Sequence, residues 1–198
     1  MSTHTEDEQV ITTLSTEEII DQRENPIKTL RQSEAFQYMM LEYGAALKIV
    51  ETKLHALDSE FNLRHDRNPI ESISTRLKSA DSIVEKMHRR GQPVSIESIQ
   101  KSLTDIAGAR VICSFLDDIY TLADMIKTQE DITVHVKKDY IAHPKENGYR
   151  SLHLVMLVPI CRNGKSASVP VEIQLRTPAM DMWACVEHDL CYKPVKEA

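Results

Sequence analysis

The sequence predicts an α/β or α+β sandwich, with helices outside and four strands inside. Three observations point there. One apolar stripe runs for about seven helical turns, four later segments carry strand patterns, and helical periods fall among those segments. The stripe comes first. Phe36, Met40, Tyr43, Leu47, Val50, Leu54, Leu57 and Phe61 step by 4, 3, 4, 3, 4, 3, 4. Burial against the chain's own core explains it more simply than a coiled-coil partner does. The stretch Arg64 to Pro69 is charged and turn-like, and Pro69 blocks further helix. A second helix fits Ser79 to Arg90. Leu77, Ala80, Ile83, Val84 and Met87 fall on one side of it, and Ser79, Ser82, Lys86, Arg89 and Arg90 on another. Gly91 and Pro93 end it, and a short helix begins near Ser95 with Ile96, Ile99 and Leu103 inward. The pattern then alternates. Arg110 to Phe115 reads as a strand, Asp117 to Lys127 as a helix, and Ile132 to Lys138 and Ser151 to Val158 as strands. In the strand Val169 to Arg176, Val171, Ile173 and Leu175 share one face and Glu172, Gln174 and Arg176 the other. Ala179 to Leu190 closes with a helix.

Length and composition set the frame. A chain of 198 residues corresponds to one domain with a short appendage. Residues 1–34 carry eight acidic and three basic side chains and few large apolar ones, and read as an acidic, flexible N-terminal extension to a domain over 35–198. Only five glycines occur, which speaks against a Gly-rich phosphate loop, and neither GxxxxGK[ST] nor GxGxxG is present. The net charge of −6 argues against large RNA or DNA as partner, although a local basic pocket is compatible with it. No apolar run approaches a membrane span, and the polar, acidic Met1 to Glu8 is not a secretory signal. Cys113, Cys161, Cys185 and Cys191 form no C-x-x-C pair and read as reduced thiols of a cytoplasmic protein. Cys185, His188 and Cys191 together could ligate a metal, but ordinary packing is the simpler account.

Three features could carry chemistry. Glu172, Gln174 and Arg176 make a polar row on a strand whose other face is core. Such a row is ordinarily a solvated sheet face, yet a sheet of this kind is expected to be covered on both sides. Asp105, just before the Arg110 strand, supplies a second acid, and two carboxylates at strand ends can hold a hard divalent ion or divide into ligand and base. Arg76, Lys78, Lys86, Arg89 and Arg90 form a basic set that is a solvated helix face if isolated and a polyphosphate clamp if it faces Glu172. Finally, His143 to His153 places Lys145, Tyr149, Arg150, Ser151 and His153 around an Asn147-Gly148 turn, which is either a plain turn or a platform for stacking Tyr149 on a base.

TRLKSADSIVEKMHRR, TDIAGARVICSF, HPKENGYRSLHL and VEIQLRTPAMDMWACVEHDLCYK, in this order, resemble the synthetase domain of the RelA/SpoT alarmone family, and most of all its small single-domain RelQ- and RelP-like members. The resemblance covers about residues 35 to 195. It implies an α+β fold, a mixed sheet flanked by helices and related to nucleotidyltransferases. It also implies transfer of pyrophosphate from ATP to the 3′-hydroxyl of GDP or GTP with release of AMP. By position, Asp105 would bind Mg²⁺, and Glu172 would assist the metal or take the hydroxyl proton. Arg76, Lys78, Ser82, Lys86 and Arg90 would hold the ATP phosphates and Arg110 would lie beside adenine, a stacking role that Arg89 or Arg90 could share. Lys145 would meet the phosphates of the guanine nucleotide, Tyr149 would stack on guanine, and Gln174 and His153 would complete the acceptor side.

Two departures qualify that picture. Position 181 is Asp where some relatives have Asn, which leaves the acceptor preference open. Relatives of this type continue into C-terminal helices that build a tetramer; with the sequence ending at Ala198, a homo-oligomer remains compatible but a tetramer is not expected. The competing readings are a toxin-type pyrophosphotransferase acting on the tRNA 3′ end or on adenine nucleotides, and a non-catalytic nucleotide- or RNA-binding regulator.

Overall fold

A computed structural model describes residues 26–64, 67–162 and 164–192. The apolar stripe lies along helix α2 (Glu34–Arg64), where Phe36, Tyr43, Leu47, Val50, Leu54, Leu57 and Phe61 are each at most 7% exposed. Met40 is only half-buried; Met39 and Ala46 take inward positions on that side instead. The stripe is buried in the chain's own core, at roughly 1.5–3 kcal/mol for each large side chain, so no coiled-coil partner is needed to explain it.

The strands are β1 (Ile70–Leu77), β2 (Ala107–Cys113), β3 (Thr133–Asp139), β4 (Leu152–Arg162) and β5 (Lys165–Arg176). They form one sheet in the order β1-β2-β5-β4-β3. The β2–β5 pair is parallel and the other pairs are antiparallel, so the sheet is mixed. Helix α2 packs across β1, β2, β4 and β5, with α5 (Leu116–Lys127) beside it on β2 and β5. Helices α3 (Ala80–Arg89) and α4 (Ile96–Ser102) pack on each other, and α6 (Pro178–Tyr192) lies against β2 and β5. No helix among the described residues is long and apolar enough to cross a membrane.

The sheet has five strands where the sequence suggested four. β1 escapes pattern reading for a physical reason: it is an edge strand with mostly exposed side chains, and a register shift between Ile70 and Ser72 breaks its alternation. The caps are clearer than the sequence allowed. Ser79 Oγ accepts from the Ser82 N–H at 3.3 Å, and Ser95 Oγ from the Ser98 N–H at 3.2 Å, which fixes the starts of α3 and α4.

Helix α1 (Pro26–Gln32) falls within the segment assigned to the N-terminal extension, and it contacts α2 and α3. Leu30 is 1% exposed, and Arg31 pairs with Asp81 of α3. Residues 1–25 lie outside the described residues. Replacing Leu30 with Ala will lower the unfolding free energy by ~2–5 kcal/mol, the usual cost of a cavity in a packed core. Urea denaturation checks this; an unchanged midpoint would mean that α1 does not belong to the cooperative unit.

Candidate active site

Register decides which side chains share a face. Val171, Ile173 and Leu175 are at most 1% exposed, so Glu172, Gln174 and Arg176 emerge on the opposite side of β5. Glu172 is level with Gly108 on β2, and Gly108 with Arg76 on β1. Gln174 is level with Arg110 on β2 and His153 on β4. At Gly108 a β-carbon would come within 3.7 Å of the Glu172 carbonyl oxygen, so glycine keeps the floor between Arg76 and Glu172 clear of side chain.

Asp105 sits in the turn between α4 and β2. The Lys78 N–H donates to the Ile106 carbonyl at 2.8 Å, which fastens the end of β1 to that turn. Lys78 Nζ and Lys86 Nζ both donate to Asp105 Oδ2, at 2.7 and 2.6 Å. Lys86 reaches it because Ala80, Ile83, Val84 and Met87 hold the other side of α3 in the core. Burial pushes the Asp105 carboxyl up, but the two ammonium groups outweigh it and hold the group down to about 2. Burial lowers the Lys86 ammonium despite its carboxylate partner. Asp105 Oδ1 is buried and has no hydrogen-bond partner among the described residues. A hard oxygen donor left unsatisfied, within electrostatic reach of the Glu172 carboxylate, fits a divalent cation such as Mg²⁺, which takes one or two carboxylates and fills its shell from water and phosphate.

The pairing has a consequence for stability. Unfolded, Asp105 titrates near 3.8, and folded at about 2. As the pH falls, the unfolded chain takes up the proton first. The contribution of the pairing is therefore complete above about pH 4 and lost as the pH drops toward about 2, and it amounts to about 2 kcal/mol. Urea midpoints across that range will fall more steeply for the wild type than for Asp105→Asn; parallel slopes would refute the assignment.

Glu172 anchors a closed ring of side chains. Its Oε1 lies 3.2 Å from His153 Nδ1, and its Oε2 accepts from Gln174 Nε2 at 2.7 Å. His153 Nε2 lies 2.8 Å from the Tyr149 hydroxyl. Arg176 Nη2 donates to the Tyr149 oxygen at 2.7 Å and to Gln174 Oε1 at 2.9 Å, which closes the ring. Burial raises the Glu172 carboxyl, but the bonds from His153 and Gln174 hold it below its ordinary value, while the Asp105 charge pushes it back up.

The turn before β4 supplies an aromatic corner. Gly148 adopts φ 79°, a left-handed conformation natural to glycine, and its N–H donates to the Lys145 carbonyl at 2.8 Å. Lys145 Nζ stands 4.9 Å from the Tyr140 ring centroid and 4.8 Å from that of Tyr149. A cation held between two rings marks a place where a base and a phosphate could be received together.

The structure gathers Lys78, Lys86 and Asp105 into one cluster, and Tyr149, His153, Glu172 and Gln174 into another with Lys145 at its edge. Arg76 is exposed and has no ion-pair partner among the described residues. Ser82 Oγ is 3.0 Å from Ser79 Oγ at the start of α3. Arg89 is exposed at the end of α3, and Arg90 donates to the Ser102 carbonyl. Arg110 pairs with Asp181 at 3.2 Å, while its Nε is buried with no partner among the described residues. Sequence reasoning assigns no role to two residues of this site. Arg176 was visible as the third member of the β5 row, but its bonds depend on the register of neighbouring strands. Tyr140 gave no signal. Cys113, Cys161 and Cys185 are free thiols, while the side chains of His188 and Cys191 lie outside the described residues, as does any metal site built on them.

A mixed sheet with two acids in electrostatic reach of each other, a lysine pair and a cation-loaded aromatic corner suits the movement of a phosphoryl-type group between two anionic substrates. Comparison with known proteins narrows that class. Residues 75–197 match the family model described as the region found in RelA/SpoT proteins, and the chain belongs to that family. It is 44% identical over 154 residues to the GTP pyrophosphokinase YwaC of Bacillus subtilis, covering 78% of this chain and 73% of that one. It is 40% identical over 159 residues to GTP pyrophosphokinase YjbM of the same organism, covering 80% and 74%. The crystal structure of small alarmone synthetase 1 from Bacillus subtilis bound to its product pppGpp superposes with a TM-score of 0.74 at 37% identity, over 84% of each chain.

Proposed function

We propose that this chain transfers the terminal pyrophosphate of ATP to the 3′-hydroxyl of GDP or GTP and releases AMP. The 3′-oxygen gives up its proton and forms a bond to the β-phosphorus, the bond from that phosphorus to the oxygen bridging the α- and β-phosphates breaks, AMP leaves with that oxygen, and the proton passes to solvent. The observation that supports the reading is a Lys78–Asp105–Lys86 cluster whose carboxylate lies within electrostatic reach of the Glu172 ring. The names of the relatives agree with it.

In this reading Lys78, Lys86, Arg76, Ser82 and Arg90 meet the ATP phosphates, with Arg110 or Arg89 beside adenine. Lys145 meets the phosphates of the acceptor, and Tyr149 stacks on guanine. Asp105, with Glu172, would hold Mg²⁺, which when bound would neutralise charge on the phosphate oxygens. Glu172 accepts the hydrogen bond of the 3′-hydroxyl and aims it in line. Both oxygens of Glu172 are already engaged, by His153 and Gln174, so its main work is alignment; a loose phosphoryl transition state asks little more of it. A cytoplasmic location belongs to the same proposal.

The test is product chromatography after incubation with Mg²⁺, labelled ATP and GDP, GTP or tRNA in turn. The reading expects AMP only with a guanine nucleotide, and the label in a guanosine 3′-pyrophosphate. AMP only with tRNA, or nucleotide binding without AMP, would replace it with the toxin or regulator reading.

A further inference from the structure

Arg176 is the most buried charged side chain among the described residues, at 4% exposed, and nothing in the transfer chemistry requires it to touch a substrate. Its guanidinium is fully engaged on three sides. Nη1 donates to Asp181 Oδ1 at 2.9 Å, Nη2 to the Tyr149 oxygen at 2.7 Å and to Gln174 Oε1 at 2.9 Å, and Nε lies 3.5 Å from Ser151 Oγ.

An arginine can only donate and a carboxylate can only accept, so Arg176 at one end and Glu172 at the other together set the direction of the bonds between them. Because Nη2 fills an acceptor site on the Tyr149 oxygen, the hydroxyl proton of Tyr149 is free to point at His153 Nε2. That ring nitrogen then accepts, so the imidazole proton rests on Nδ1 and faces Glu172 Oε1. Because the second Nη2 proton binds Gln174 Oε1, the amide cannot flip, and its NH₂ faces Glu172 Oε2. Two groups that are ambiguous by nature, an imidazole and a carboxamide, are each forced into the one orientation that presents a donor to the carboxylate.

We propose that Arg176 is a positioning residue which orients Glu172 through two arms, the Tyr149 hydroxyl with His153 on one side and the Gln174 amide on the other. The proposal rests on the acceptor-side role given to Glu172 above. It assigns Tyr149 a second task, separate from stacking: its ring serves the base, and its hydroxyl serves the carboxylate.

The experiment separates those tasks. Tyr149→Phe keeps the ring and removes one arm. Its kcat will fall by about tenfold to a hundredfold, as for other partners that orient a site group, while KM for GDP stays unchanged. Arg176→Lys keeps the charge but lacks the fork that spans both arms, and it will lose kcat at least as strongly. Adding Tyr149→Phe to Arg176→Lys will cost little more, since both act along one path. Wild-type kcat in Tyr149→Phe, or losses that multiply in the double variant, would overturn the proposal. If thermal melting shows that Arg176→Lys does not fold, Gln174→Met takes its place as the cut in the other arm, and full kcat there overturns the proposal equally. Absence of AMP release by the wild type with any guanine nucleotide would instead strike the reading of the site itself.

Discussion

Replacing Glu172 with Gln will leave far-UV circular dichroism and the melting transition close to wild type and reduce AMP release by about 10²–10³-fold, the usual loss for one charge-stabilising group at a reacting centre. The fold is spared because Gln has the same shape and the ring can re-pair around it. The amide oxygen can take the bond from Gln174 Nε2, and the amide NH₂ can donate to His153 Nδ1 once the imidazole proton moves to Nε2. Catalysis is not spared. The carboxylate that receives the 3′-hydroxyl is replaced by a group with half the acceptors and no charge, and the direction of the Tyr149–His153 arm is reversed. Initial-rate AMP measurements at saturating ATP and GDP decide the point; unchanged turnover would move the acceptor role to another residue.

Asp105→Asn will abolish turnover by a different route and will also destabilise the protein. Two ammonium groups, whose side chains are only 11% and 18% exposed, converge on one oxygen of this carboxylate. Removing the charge leaves both without a counter-ion. Breaking a fully buried pair costs ~3–5 kcal/mol, and with the Asp105 side chain 21% exposed the loss here is about 2 kcal/mol. The orphaned Oδ1, the best-placed donor for a divalent ion, disappears at the same time. Lys78 and Lys86, freed from Asp105, remain available to a triphosphate, so ATP affinity measured without Mg²⁺ will be retained while AMP release is lost. Turnover at the wild-type rate would show that Asp105 is only a structural counter-ion.

What the sequence disclosed follows from how local each feature is. The α2 stripe was legible because a helix writes its buried face directly into spacing, as Phe36 through Phe61 do. The β5 row was legible because alternation puts Glu172, Gln174 and Arg176 on one face whatever the neighbours are. Neighbours decided the rest. Whether Lys78 and Lys86 lie on a solvated face depends on the turn that carries Asp105, to which the Lys78–Ile106 backbone bond fastens β1, while Arg76, Arg89 and Arg90 stay exposed. β1 was missed because its bulge and its edge position erase the period on which strand reading depends. The tie from Arg176 to Tyr149 spans 27 residues and needs the pairing of β4 with β5, which no local pattern encodes.

The account turns on one placement: the triphosphate of ATP lies between the Lys78–Asp105–Lys86 cluster and Glu172. A crystal structure of the protein with Mg²⁺ and a non-hydrolysable ATP analogue measures it directly. The account predicts phosphate oxygens on Lys78 and Lys86, metal on Asp105, and the β-phosphorus on the side facing Glu172. An analogue seated away from this face, for example in the cavity lined by Leu57, Tyr120, Met125 and Gln129 between α2 and α5, with the lysines still closed on Asp105, would contradict it.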